Sequence, residues 1–127
     1  MREGRWIAWS MALAVLASVG HAAADGDPAK GKKVFNKCRS CHVVDAEKNR
    51  VGPHLVGVFG RDAGSVEGFK YSDAMMESDV VWEDETITAY LKDPKGYVPG
   101  NRMVFPGLKK DEDIADLLAY LHEETGS

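Results

Sequence analysis

At 127 residues the chain holds about one domain, because domains usually run ~100–200 residues; a (β/α)₈ barrel or a two-domain dehydrogenase does not fit. Its 44% apolar and 28% charged residues belong to a globular protein, not a disordered one. A net charge of −4 argues against a general nucleic-acid binder, and two cysteines are too few for a disulfide framework.

The first 24 residues read as a secretory leader. Arg2 and Arg5 form a positive start, Ile7 to Val19 an apolar run, and Ala22-Ala23-Ala24 a small-residue cleavage pattern before Asp25. At ~1.5 Å per residue that run spans about 20 Å, short of the ~30 Å hydrocarbon core, so cleavage is favoured over a retained anchor. The expected product is a single domain over 25–127, exported to the bacterial periplasm.

Asp27-Pro28 reads as an N-cap with proline in the first helical turn, opening a helix that carries Val34 and Phe35 towards Cys38. From Val43 to Val81 glycines recur without sustained periodicity, which predicts loops and one short helix near Ser72–Glu77. Ile87, Tyr90 and Leu91 at i, i+3 and i+4 predict a helix over Asp84–Lys92, stopped at Asp93-Pro94. Val98 to Leu108, with two prolines and two glycines, reads as a loop. Ile114, Leu117, Leu118 and Leu121 predict a last helix, with Asp111, Glu112 and Asp113 favourably placed in the dipole at its start. No strand signal is present. The expected fold is therefore all-α, and three modest helices make a thin core that a bound apolar group would complete.

Cys38-Arg39-Ser40-Cys41-His42 is a CxxCH sequence, the attachment signature of c-type haem. Two thiols so spaced add across the two vinyl groups of one porphyrin, and the next residue, His42, falls under the iron. A thioredoxin-type dithiol would want a βαβ context, and a structural zinc site would want four ligands. A plain disulfide would leave His42 unexplained. A second axial ligand must come from His54, His122, Met75, Met76 or Met103. His122 reads as a surface histidine, His54 lies close in sequence to His42, and Met75 and Met76 have packing as their default role. Met103, far along the chain in a proline- and glycine-bounded loop, can close over the other haem face. Position alone leaves the choice open.

CRSCH, GPHLVGVFGR, YSDAM, the VVW tryptophan and YVPGNRMVFPG, in this order from Asp25 to Thr125, resemble the class I cytochromes c. The resemblance implies a small helical shell around one covalently attached haem c, with Gly31 and Phe35 packed against Leu117 and Tyr120. It implies Cys38 and Cys41 as attachment points and His42 and Met103 as axial ligands of the iron. Pro53 would accept a hydrogen bond from His42. Arg61, Tyr71 and Trp82 would bond the haem propionates, and Tyr90 would stand behind Met103. Met75 and Asn101 depart from the family, which often has asparagine and threonine there.

The function so implied is one-electron shuttling by a soluble monomer, not catalysis. Its partners would be redox proteins such as a quinol-oxidising complex, an oxidase, a photosynthetic centre or a periplasmic dehydrogenase. The alternative is a haem domain with a labile sixth ligand, acting as a peroxidase or gas sensor. Charge is segregated along the chain. Residues 30–39 and 92–110 are rich in lysine and arginine, whereas 73–85 and 111–124 hold acids and no base. That pattern predicts a dipole whose positive end surrounds the haem edge.

Overall fold

The computed structural model describes residues 26–126. The leader and its cleavage site lie outside these residues. Asp27 opens α1 (Pro28–Phe35) as the sequence predicts, its carboxylate accepting from the Ala29 amide at 2.9 Å. Ser72 caps the short α2 (Asp73–Met76) through the Met75 amide, and α3 covers Asp84–Lys92. Asp93-Pro94 does more than stop α3. The Asp93 carboxylate accepts from Gly96 at 3.0 Å and opens a further single-turn helix, α4 (Pro94–Tyr97). The cap-plus-proline pattern is the one that starts α1, so the stop and start signals coincide in one dipeptide. The last helix, α5 (Asp111–Thr125), ends at Gly126 in the left-handed conformation.

The fold is helical, with one addition that the sequence pattern does not carry. Arg61–Asp62 (β1) and Val81–Trp82 (β2) pair antiparallel, with Arg61 opposite Trp82. Two residues per strand are too few to leave an alternating signature. The Thr86 hydroxyl accepts from the Glu83 amide at 2.9 Å and donates to the Val81 carbonyl at 2.6 Å, joining α3 to this ladder.

The main packing is α1 across α5. Phe35 and Tyr120 meet with ring centroids 5.4 Å apart, and Ile114, Leu117, Leu118 and Leu121 are all buried, which is the predicted face. Gly31 makes the close crossing possible. A Cβ there would overlap the Asp116 carbonyl and stand 2.8 Å from the Tyr120 Cβ. The Asp27 amide donates to the Asp116 carboxylate at 2.8 Å, closing the corner. Phe35, Ile87, Leu91, Leu117 and Leu121 belong to the core and also face a cavity of about 390 Å³. The apolar core is thus arranged around a space instead of filling it. Among the described residues no helix is long and apolar enough to cross a membrane.

Candidate functional site

Two tight turns follow α1. The Cys38 and Arg39 amides donate to the Phe35 carbonyl, and the Cys41 and His42 amides to the Cys38 carbonyl. This compact winding brings Cys38, Cys41 and His42 to the wall of one cavity. Burial, with a smaller contribution from neighbouring Cys41, pushes the Cys38 thiol up to about 11 despite the opposing charge of Lys37. Such a thiol stays protonated at neutral pH and is a poor centre for disulfide exchange.

His42 is held from two sides. Its Nδ1 donates to the Pro53 carbonyl at 2.7 Å, which leaves the lone pair on Nε2. Gly52 packs closely against the ring, where any Cβ would collide with Cε1 and both nitrogens. Burial lowers the His42 pKa and nearby Arg61 adds to that, against the Pro53 hydrogen bond. The ring is therefore kept neutral, the form that binds a metal.

Met103 reaches the same cavity from the 98–108 loop. Its sulfur lies 3.8 Å from the Tyr90 hydroxyl, on α3, and its amide donates to the Asn101 side chain at 2.9 Å. The loop returns at Gly107, whose φ of 109° and 2.6 Å Cβ approach to the Lys92 carbonyl admit only glycine. Leu108 then donates to the Leu91 carbonyl at 2.8 Å. Of the five possible second ligands, Met75 and Met103 line the cavity, and only Met103 has a hydroxyl directed at its sulfur. Met76 is 60% exposed. His54 stands outside the cavity lining, its Nδ1 buried without a hydrogen bond.

His122 is more engaged than a surface histidine. Its Nε2 is 2.6 Å from the Asp84 carboxylate, and its ring stacks on Phe59 with centroids 3.7 Å apart. The partners lie 38 and 63 residues away, so no local pattern announces them.

The polar end of the cavity is built by the β1–β2 pair and the segment before α2. Arg61 donates from one terminal nitrogen to the His54 and Val56 carbonyls at 3.0 and 3.3 Å, but its Nε is buried and unpartnered. Tyr71 accepts from the Val66 amide at 3.0 Å, and burial raises its pKa, so its proton stays available for donation. Trp82 is buried beside Tyr90, their centroids 5.0 Å apart. Arg61, Tyr71 and Trp82 all line the cavity, and a guanidinium with a protonated phenol beside it suits an anionic group. Two thiols, a neutral imidazole and a thioether on the apolar walls call for a porphyrin and its iron. The donor set fits haem c. Neither the Gly52 backing nor the Arg61–Trp82 pairing leaves a local sequence signal, since each depends on residues ten or more apart.

The cytochrome c family model matches residues 28–124. Cytochrome c2 iso-2 of Magnetospirillum fulvum is 52% identical over 98 residues, covering 77% of this chain and 97% of that protein. Cytochrome c-554 of Methylosinus trichosporium is 45% identical over 118 residues, covering 92% of this chain and 88% of its own. Among solved structures, cytochrome cH from Methylobacterium extorquens superposes with a TM-score of 0.73 at 43% identity, covering 77% of this chain and 99% of that one. With the matched residues running from the start of α1 almost to the end of α5, the chain belongs to the cytochrome c family: it is a class I cytochrome c, an electron-transfer protein with one covalently attached haem c, and not an enzyme.

Proposed function

We propose that this cytochrome carries single electrons between periplasmic redox partners, with its haem attached through Cys38 and Cys41 and its iron held by His42 and Met103. Haem c supplies a one-electron exchange between ferric and ferrous iron. The observation that carries this reading is a single cavity lined both by His42, anchored to the Pro53 carbonyl, and by Met103, with its sulfur next to Tyr90. The soft thioether of Met103 favours the ferrous state and raises the potential, as does the apolar lining. Arg61, Tyr71 and Trp82 bind the propionates, and Arg61 offsets their charge. With His42 and Met103 both holding the iron, no position would be left for a substrate, which favours a carrier over a peroxidase or gas sensor. The leader pattern supports cleavage before Asp25 and a periplasmic location. Partners among quinol-oxidising complexes, oxidases, photosynthetic centres and periplasmic dehydrogenases suit a carrier acting there, as does a monomer in peripheral contact with membrane complexes.

Replacing Met103 tests the assignment. The ferric protein is expected to show the weak far-red absorption band of methionine-to-iron coordination. Met103→Ala should abolish that band, lower the potential and admit azide or carbon monoxide, with the haem still attached. Loss of the band in Met75→Ala and its survival in Met103→Ala would transfer the ligand role to Met75.

A further inference from the structure

We infer that Asn101 is a positioning residue that latches the Met103 loop shut and so controls how readily an outside ligand reaches the sixth position of the iron. The inference rests on Met103 being the sixth ligand. An asparagine amide has two donor hydrogens and two acceptor lone pairs; here three are fully used and the fourth shares the Tyr90 proton with the Met103 sulfur. Nδ2 donates to the Pro94 carbonyl at 2.8 Å and to the Val98 carbonyl at 2.8 Å. Oδ1 accepts from the Met103 amide at 2.9 Å and from the Tyr90 hydroxyl at 3.4 Å. The network fixes the amide orientation, because a flip would set oxygen against two carbonyls and the amino group against the Met103 N–H.

These four partners lie on three separate pieces of structure. Pro94 begins α4, Val98 directly follows it, and Tyr90 is on α3, while the Met103 amide belongs to the loop that carries the ligand. One side chain therefore ties the methionine to both helices that flank it. Val104, next to Met103, is 99% exposed; Phe105 and Leu108 pack on the core and Arg102 donates to the Tyr71 carbonyl at 3.2 Å, but the side chain that bonds the Met103 amide itself is Asn101. A threonine at this position has one hydroxyl proton and cannot donate to both carbonyls. The same amide oxygen stands 3.4 Å from the Tyr90 hydroxyl, whose other acceptor is the Met103 sulfur at 3.8 Å. Asn101 thus also draws the tyrosine proton from the thioether, so its removal turns that hydroxyl wholly towards sulfur.

The test measures imidazole binding to the ferric holoprotein by stopped flow, together with the far-red band and the midpoint potential. Asn101→Ala should keep the band at neutral pH and accelerate imidazole binding by about tenfold or more, the factor set by losing one to two net hydrogen bonds of loop closure. The potential should rise, because the full Tyr90 hydrogen bond withdraws electron density from sulfur. Asn101→Thr should fall between Asn101→Ala and the parent. Asn49→Ala is the control, since Asn49 also bonds two backbone groups, the His54 amide at 3.0 Å and the Glu67 carbonyl at 3.3 Å, but neither lines the cavity nor bonds the Met103 loop. Equal acceleration in Asn49→Ala and Asn101→Ala would mean general loosening and would overturn the latch, as would parent-like binding in Asn101→Ala. Met103→Ala reports separately on the ligand. If it retains the band, the ligand reading fails; if it loses the band while Asn101→Ala behaves as the parent, only the latch fails.

Discussion

Arg61 and His54 are the two described side chains that keep a buried polar nitrogen without a hydrogen-bond partner, and Arg61 is the one that lines the cavity. Two carbonyls satisfy one of its terminal nitrogens, its Nε is buried with no acceptor, and burial lowers its pKa. A cation held in this way favours the less positive, ferrous state of a nearby iron. Arg61→Met should therefore lower the midpoint potential by about 30–60 mV, half to one tenfold step of a one-electron couple. Spectroelectrochemical titration reads this directly, and an unchanged or higher potential would remove Arg61 from the electrostatics of the site. Legibility at this scale follows the range of the interaction. Cys38, Cys41 and His42 are readable because covalent attachment demands a local spacing. The loop position of Met103 marks it out from Met75 without deciding the matter, and the resemblance is what makes it the expected ligand. Gly52 behind His42 and the Asn101 bonds to Pro94 and Tyr90 are invisible locally, since each is defined by a partner seven or more residues away.

Among the elements, the α1–α5 crossing sets where the haem-bearing turns begin, because Phe35 is both the last residue of α1 and the acceptor of the Cys38 amide. Gly31 lets the two helices approach closely enough for Phe35 to reach Tyr120. Gly31→Val should destabilise the protein by about 1–3 kcal/mol through forced separation of the helices. A fall in the guanidinium midpoint with an unchanged absorption spectrum would fit, whereas an unshifted midpoint would mean that the crossing adapts. The helices themselves were readable where burial repeats. The predicted bounds of α3 coincide with those observed, and the α5 stripe is buried as its spacing requires. The single turn of α4 and the β1–β2 pair were not, because elements of two to four residues carry no period. That pair nonetheless sets Arg61 opposite Trp82, so the least legible element organises the polar end of the site.

Over the whole molecule, charge has a direction that the net value hides. Lys37, Lys70 and Arg102 line the cavity, and Lys95, Lys109 and Lys110 are exposed on the segments beside the Met103 loop. Glu83, Asp84 and Glu85 line a different surface cleft with Phe59 and His122. Lys92 is already paired with Asp111 at 2.7 Å, an exposed pair of little energetic weight that still removes one free cation from the basic side. On the proposed carrier function, such a basic patch would steer the cavity mouth onto acidic partner surfaces and raise the association rate even though the protein is acidic overall. That gain fades with salt, as the screening length shortens from about 30 Å at 0.01 M to about 8 Å at 0.15 M. Lys95→Glu should then slow bimolecular electron transfer several-fold at low salt and little at high salt, while Glu83→Lys should change it much less. Rates against ionic strength for the parent and both variants decide the matter. The reverse ranking would assign docking to the acidic face and a basic partner. Salt-independent rates in all three would leave docking to apolar contact around the cavity mouth, where Val51 and Val104 are exposed.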